Sequence, residues 1–186
     1  MKRFVSRGGQ KLDHALDAFG LDPAGRVCAD LGCSTGGFVD CLLQRGAAKV
    51  YAIDTGYGVL DYKLRNDSRV FVMERVNAMH AELPEPAWMI TIDVAWTRQR
   101  HILPTAARLL APGGCVVTLI KPHYEADKNL LRRGRLPPEQ IPAVFQTVAD
   151  DIAAAGFSIL AVARSPITGT GGNVELLAWL RPGAFE

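Results

Sequence analysis

The chain has 186 residues, 48% of them hydrophobic and 22% charged, with a formal net charge of +2. That length suits one domain with a substantial core, and the charge is too small by itself to announce a nucleic-acid partner. No apolar run reaches membrane-spanning length, and Met1-Lys2-Arg3-Phe4-Val5-Ser6-Arg7 lacks the apolar core of a signal peptide, so a single cytoplasmic domain over 1–186 is expected.

An amphipathic helix is expected over 10–19, where Leu12, Ala15, Leu16 and Phe19 share one face, closed by Gly20 and the Asp22-Pro23-Ala24-Gly25 turn. The apolar run 27–29 reads as a first strand. It leads into Asp30-Leu31-Gly32-Cys33-Ser34-Thr35-Gly36-Gly37-Phe38, after which Phe38, Val39, Leu42 and Leu43 recur at helical spacing. Strand, glycine turn and helix together let backbone approach a ligand, and the free N–H groups of a helix start favour a polar or anionic group. The turn fits neither the dinucleotide fingerprint nor the phosphate loop, which needs Lys followed by Ser or Thr. An acid, one residue, then Gly32 with Gly36 four positions on is the spacing of S-adenosylmethionine-binding methyltransferases. A second strand, 49–53, ends at Asp54, where such folds place a carboxylate for ribose hydroxyls. Asp30, Gly32, Cys33, Ser34, Thr35, Gly36, Gly37, Phe38 and Asp54 are therefore candidate contacts for S-adenosylmethionine, against the plainer alternative of a tight turn with a surface acid.

A short helix over 59–65 and a third strand over 70–73 follow. The fourth strand, 87–92, ends at Asp93, and a helix over 101–110 stops at Ala111-Pro112-Gly113-Gly114. A very apolar fifth strand, 115–120, ends at Lys121. A polar loop, 122–136, leads through Pro137-Pro138 into a helix over 139–155, and strands over 157–163 and 174–180 close the chain. Those last two strands are joined without a helix and should pair antiparallel. The layout is that of a class I, Rossmann-like α/β fold: a mostly parallel seven-stranded sheet with an antiparallel last strand and helices on both faces. Ligands of open α/β sheets sit at the carboxyl ends of the strands, so Asp30, Asp54, Asp93 and Lys121 should share one rim.

Cys28, Cys33, Cys41 and Cys115 show neither zinc-site spacing nor disulfide-scaffold density, and the four histidines are scattered, so no metal site is expected. Positive charge gathers in two clusters, at Lys2, Arg3, Arg7 and Lys11 and at Lys128, Arg132, Arg133 and Arg135. The second lies in the loop that begins at Lys121. Arg3, Arg7, Lys128, Arg132, Arg133 and Arg135 are thus candidates for contact with an anionic substrate, the alternative being solvated faces. Asp93 and Lys121, charges at the ends of apolar strands, read either as a structural ion pair or as a proton-transfer and orienting group beside the methyl donor.

Several separated stretches resemble one family: Ser6-Arg7-Gly8-Gly9-Gln10-Lys11-Leu12, the glycine turn with Asp40-Cys41-Leu42-Leu43-Gln44, Tyr51-Ala52-Ile53-Asp54, Lys63-Leu64-Arg65-Asn66-Asp67, Ile120-Lys121-Pro122 and Ser165-Pro166-Ile167-Thr168-Gly169. Together they look like the TlyA-type haemolysin-like rRNA methyltransferases, within the wider FtsJ-type group of ribose 2′-O-methyltransferases. The resemblance covers nearly the whole chain and implies a Lys-Asp-Lys-Glu catalytic tetrad, which falls on Lys11, Asp93, Lys121 and Glu175. It also places Asn77 near the adenine of the cofactor, puts Asp93 beside the donor, and makes RNA, rRNA above all, the partner. The family commonly carries a small S4-type RNA-binding domain ahead of the methyltransferase region, and this sequence begins where that domain would end. Asp93-Val94-Ala95-Trp96 departs from the family's usual Asp-Val-Ser-Phe. The alternatives are a catalytically silent RNA- or cofactor-binding protein and a methyltransferase acting on a small molecule or protein. Membrane lysis, the family's other label, lacks a strongly cationic amphipathic helix to carry it.

Overall fold

The protein is described by a computed structural model over residues 3–183. Runs of small and β-branched apolar residues form seven strands: β1 (Val27–Leu31), β2 (Lys49–Asp54), β3 (Val70–Glu74), β4 (Ala87–Ile92), β5 (Leu110–Ile120), β6 (Phe157–Arg164) and β7 (Leu176–Pro182). The helices are α1 (Gly8–Phe19), α2 (Gly37–Gln44), α3 (Tyr62–Arg65), α4 (Gln99–Leu109), α5 (Pro122–Glu125) and α6 (Ile141–Ala154). One sheet holds all seven strands in the order β3-β2-β1-β4-β5-β7-β6. β1 to β5 run parallel, and β7 pairs antiparallel with both β5 and β6. The expected sheet is therefore the observed one.

The central strands are covered on both faces, which is why they read as unbroken apolar runs. On one face Leu12 and Leu16 of α1 and Phe38 and Leu42 of α2 meet Cys28, Val50, Met89 and Val117. On the other, Ile102, Leu103 and Ala106 of α4 and Val148 and Ile152 of α6 meet Ile90, Ile92, Val116 and Ile120. Each fully buried Leu or Ile contributes roughly 1.5–3 kcal/mol. The four cysteines are free thiols buried in this core, where burial pushes Cys28 up to about 12 and Cys115 to about 11.

The boundaries differ in ways that bear on the site. Helix α1 starts two residues ahead of the expected 10–19, at Gly8, because Gly9 has no Cβ to collide with the ring of Phe4. Strand β5 starts at Leu110 rather than 115: Leu110 pairs with Ala87, and the Pro112-Gly113-Gly114 stretch is an irregularity inside the strand. Strand β7 starts at Leu176, so Glu175 sits just ahead of it rather than within a strand over 174–180. The backbone carbonyl of Glu175 still accepts from Ser165 N–H at 2.9 Å. The loop 122–136 contains α5 and a single 3₁₀ turn, Lys128–Leu130. No helix among the described residues is long and apolar enough to cross a membrane, and no group of three or more His, Cys, Asp or Glu there could hold a metal ion.

Candidate active site

At the carboxyl end of β1 the chain reverses through Gly32 (φ 87°), Ser34 (φ 48°) and Gly36 (φ 98°) before α2 begins. A Cβ on Gly32 would lie 2.7 Å from the carbonyl oxygen of Asp93. Its absence lets the ends of β1 and β4 close on each other, which brings Asp93 to the turn. Asp54 fastens the same turn to β2: its carboxylate accepts from Ser34 N–H at 2.8 Å and from Gly56 N–H at 2.7 Å. Each oxygen keeps a lone pair for a hydroxyl.

Two cavities open along this rim. The larger, about 440 Å³, is lined by Asp30, Cys33, Thr35, Gly37 and Phe38 of the turn and by Lys11, Lys121 and Glu175. The smaller, about 310 Å³, is lined by Asp54, Asn77, Met79, Trp96 and Ile102. Gly32, Ser34, Asp93 and Ala95 belong to both, so the two form one elongated site. Gly36 lines neither, because its missing Cβ faces Leu60 and Leu64, and its part is to make the turn. Asn77 accepts from Met79 N–H at 3.0 Å and so holds the short turn Ala78–His80 at the cavity wall.

Lys11 reaches the rim because the N-terminal segment is pinned to α2. Val5 N–H donates to Asp40 at 2.8 Å, the Gln44 amide donates to the carbonyl of Arg3 at 3.0 Å, and Gly37 leaves room for Ser6. Lys11 Nζ then stands 2.5 Å from Glu175 Oε2, with side chains 12% and 4% exposed. Lys121 Nζ stands 2.6 Å from Asp93 Oδ1 and donates to the Val94 carbonyl at 3.1 Å. Two lysine–acid pairs, drawn from α1 and the ends of β4 and β5 and the approach to β7, thus face one space. Neither lysine is left as an unpaired buried charge.

Asp30 is 1% exposed and accepts from the Thr91 hydroxyl at 2.7 Å. Burial pushes its carboxyl up to about 8, the Thr91 hydrogen bond pulls the other way, and the charges of Asp93 and Asp54 add to the rise. A cation placed beside it would favour its ionised form.

Over residues 4–182 the chain matches the FtsJ-like methyltransferase family. It belongs to that family. It is 39% identical over 186 residues to the 16S/23S rRNA (cytidine-2′-O)-methyltransferase TlyA of Mycobacterium tuberculosis, covering 97% of this chain and 69% of TlyA. It is 42% identical over 187 residues to YqxC of Bacillus subtilis, provisionally named an rRNA methyltransferase, covering 96% of this chain. The chain spans 66% of the length of YqxC. A solved structure from Streptococcus thermophilus, labelled a hemolysin, superposes with a TM-score of 0.95 at 40% identity, covering 99% of this chain and 69% of that one.

The methyl donor of this family is S-adenosylmethionine, and the site fits it. An elongated space with a buried acid at one end suits the cationic methionine part, and a hydroxyl-accepting carboxylate at the other suits the ribose. Asp30 and the turn would hold the first and Asp54 the second, with Asn77 beyond it on the adenine side.

The basic residues divide. Arg7 lines the larger cavity, whereas Arg3 is exposed and pairs with Asp13 at 2.9 Å. Lys128, Arg132, Arg133 and Arg135 are exposed, and of these Arg132 and Arg135 line a third cavity farther along the chain. The sequence reading missed Ser6, Ala95, Thr168 and Gly169 as lining residues, and Thr91 as the partner of Asp30. Thr91 left a signal as a hydroxyl in an otherwise apolar strand, and Ser6, Thr168 and Gly169 stood in the stretches that carry the family resemblance.

Proposed function

We propose that this chain acts as one methyltransferase domain and transfers a methyl group from S-adenosylmethionine to a ribose 2′-hydroxyl of rRNA. The observation that carries the reading is the pair of lysine–acid contacts, Lys11 with Glu175 and Lys121 with Asp93, facing one cavity beside the glycine turn. The named activity of TlyA from Mycobacterium tuberculosis supports the substrate, rRNA, and the acceptor atom, a cytidine 2′-oxygen.

When bound, the donor supplies an electrophilic sulfonium methyl. A ribose hydroxyl is a poor nucleophile at neutral pH, so the chain must hold it in line and offset the charge that develops as its proton leaves. Lys121 either receives that proton or stabilises the alkoxide. Its contacts favour the second role, since an ammonium paired with a carboxylate has no lone pair to offer, and the hydroxyl proton then passes to solvent water. Two of its N–H groups are spent on Asp93 and Val94, which leaves one for the ribose oxygen. Asp93 fixes the ammonium, and Lys11, held by Glu175, adds positive charge on the acceptor side.

Replacing Lys121 by Met tests these roles. Incorporation of methyl-labelled donor into rRNA should fall by ~10²–10³-fold, the loss typical of a missing charge stabiliser, with donor affinity within a few-fold of wild type. Undiminished incorporation would sink the assignment.

A further inference from the structure

Three guanidinium groups sit on one tight turn with no acid holding them. Arg132 N–H donates to the Arg135 carbonyl at 2.8 Å and the Arg132 carbonyl accepts from Arg135 N–H at 3.0 Å, while Arg133 (φ 52°) and Gly134 (φ 76°) supply the two left-handed positions that such a reversal requires. Arg132, Arg133 and Arg135 are all exposed, and none forms an ion pair among the described residues. Between this turn and the segment 172–174 lies a cavity of about 370 Å³, walled by Arg132, Arg135, Pro137, Gly172 and Asn173 and by one carboxylate, Glu139. A Cβ on Gly172 would stand 3.5 Å from Arg135 Nη2, so the guanidinium lies close against the bare backbone there. Asn173, 6% exposed, ties the turn down: its carbonyl oxygen accepts from Leu136 N–H at 3.2 Å and its amide donates to the Gly134 carbonyl at 3.1 Å. Val174 lines this cavity, and the next residue, Glu175, lines the one that holds the lysine–acid pairs.

We infer that this cavity seats a backbone phosphate of the RNA strand close to the acceptor nucleotide, and that Asn173 is a positioning residue keeping the arginine turn in register with Glu175. The inference rests on the proposed RNA substrate. A guanidinium fork matches a pair of phosphate oxygens, and two such groups against one carboxylate leave the cavity net positive. A phosphate held here positions the strand without reading its bases. One backbone segment separates this cavity from the catalytic one, so the grip on the strand and the placement of the ribose are mechanically linked through Asn173, Val174 and Glu175.

The test is equilibrium binding of a labelled single-stranded RNA oligonucleotide to the whole chain without donor, across a salt series. The Arg132→Ala/Arg135→Ala double variant changes only exposed side chains and should weaken binding by about ten-fold at low salt and flatten the log–log salt slope by roughly one to two. Inorganic phosphate alone should compete only weakly, since it offers one contact where the strand offers several. Asn173→Ala should raise the KM for RNA more than it lowers kcat, at unchanged donor affinity. A merely structural loss would lower donor affinity and melting temperature together. Wild-type protein that binds RNA while the double variant keeps the same affinity and slope would overturn this inference alone. Wild-type protein that binds no RNA at any salt would overturn it together with the proposed substrate.

Discussion

Lys11 Nζ and Glu175 Oε2 stand 2.5 Å apart in the wall of the larger cavity, joining the first helix to the residue that precedes the last strand. Removing one partner strands the other as a buried charge, which typically costs about 3–5 kcal/mol. Glu175→Ala should therefore lower the melting temperature by roughly 6–20 °C for a domain of this size. Lys11→Met combined with Glu175→Leu should recover a good part of that stability while leaving methyl transfer absent. Thermal melting of the single and double variants checks both statements. Stability unchanged in Glu175→Ala would contradict the pairing.

Gly32 combines a left-handed φ of 87° with a Cβ position 2.7 Å from the Asp93 carbonyl. Gly32→Ala must strain the turn or push the end of β4 away, and should cost about 1–3 kcal/mol of stability. Because the displaced residue is Asp93, methyl transfer should fall further than stability alone explains. Activity measured well below the melting transition separates the two effects.

The Asp30 carboxyl is pushed up to about 8, against an ordinary value of 3.8, chiefly by burial. Between those values the folded protein binds a proton that the unfolded chain has released, so this group's contribution to stability falls as pH rises from about 4 to 8 and is constant above. Glu125, raised to about 7 by burial, adds to the slope in the same window. Asp30→Asn keeps a partner for the Thr91 hydroxyl and removes the Asp30 share. Its melting temperature relative to wild type should rise steadily from pH 4 to 8. A difference independent of pH would show that Asp30 is ionised in the native state.

Asp54 accepts from the backbone on both sides of the site, at Ser34 and Gly56. Asp54→Ala loosens the glycine turn and removes the carboxylate proposed to accept from the donor's ribose. Donor affinity, read by calorimetry, should fall by at least ~10-fold, the equivalent of one lost charged hydrogen bond. Affinity within two-fold of wild type would separate Asp54 from the donor site.

The sheet was legible because each central strand is buried on both faces, which writes an apolar run into the sequence, and because the strand-ending charges Asp54, Asp93 and Lys121 mark the rim. Asp30 stands inside β1 and Gly36 turns away from the cavities, since a glycine needed for a turn and one needed for ligand approach look the same in sequence. Glu175 was visible only through family resemblance: nothing in its local pattern distinguishes a strand residue from one placed just ahead of the ladder. Ser6 and Thr168 stood in resembling stretches without a role, and their place in the cavity, like the Asn173 tie, was illegible because each depends on contacts between segments distant in the chain.

The central claim is tested most directly by incubating the chain with methyl-labelled S-adenosylmethionine and rRNA, then digesting the RNA and identifying the labelled nucleoside. Wild-type protein should label the ribose 2′-oxygen, and Lys121→Met should label it hundreds of times less, on the order of the loss of one charge stabiliser. A label carried on a base instead, or full 2′-O-methylation by Lys121→Met, would contradict it.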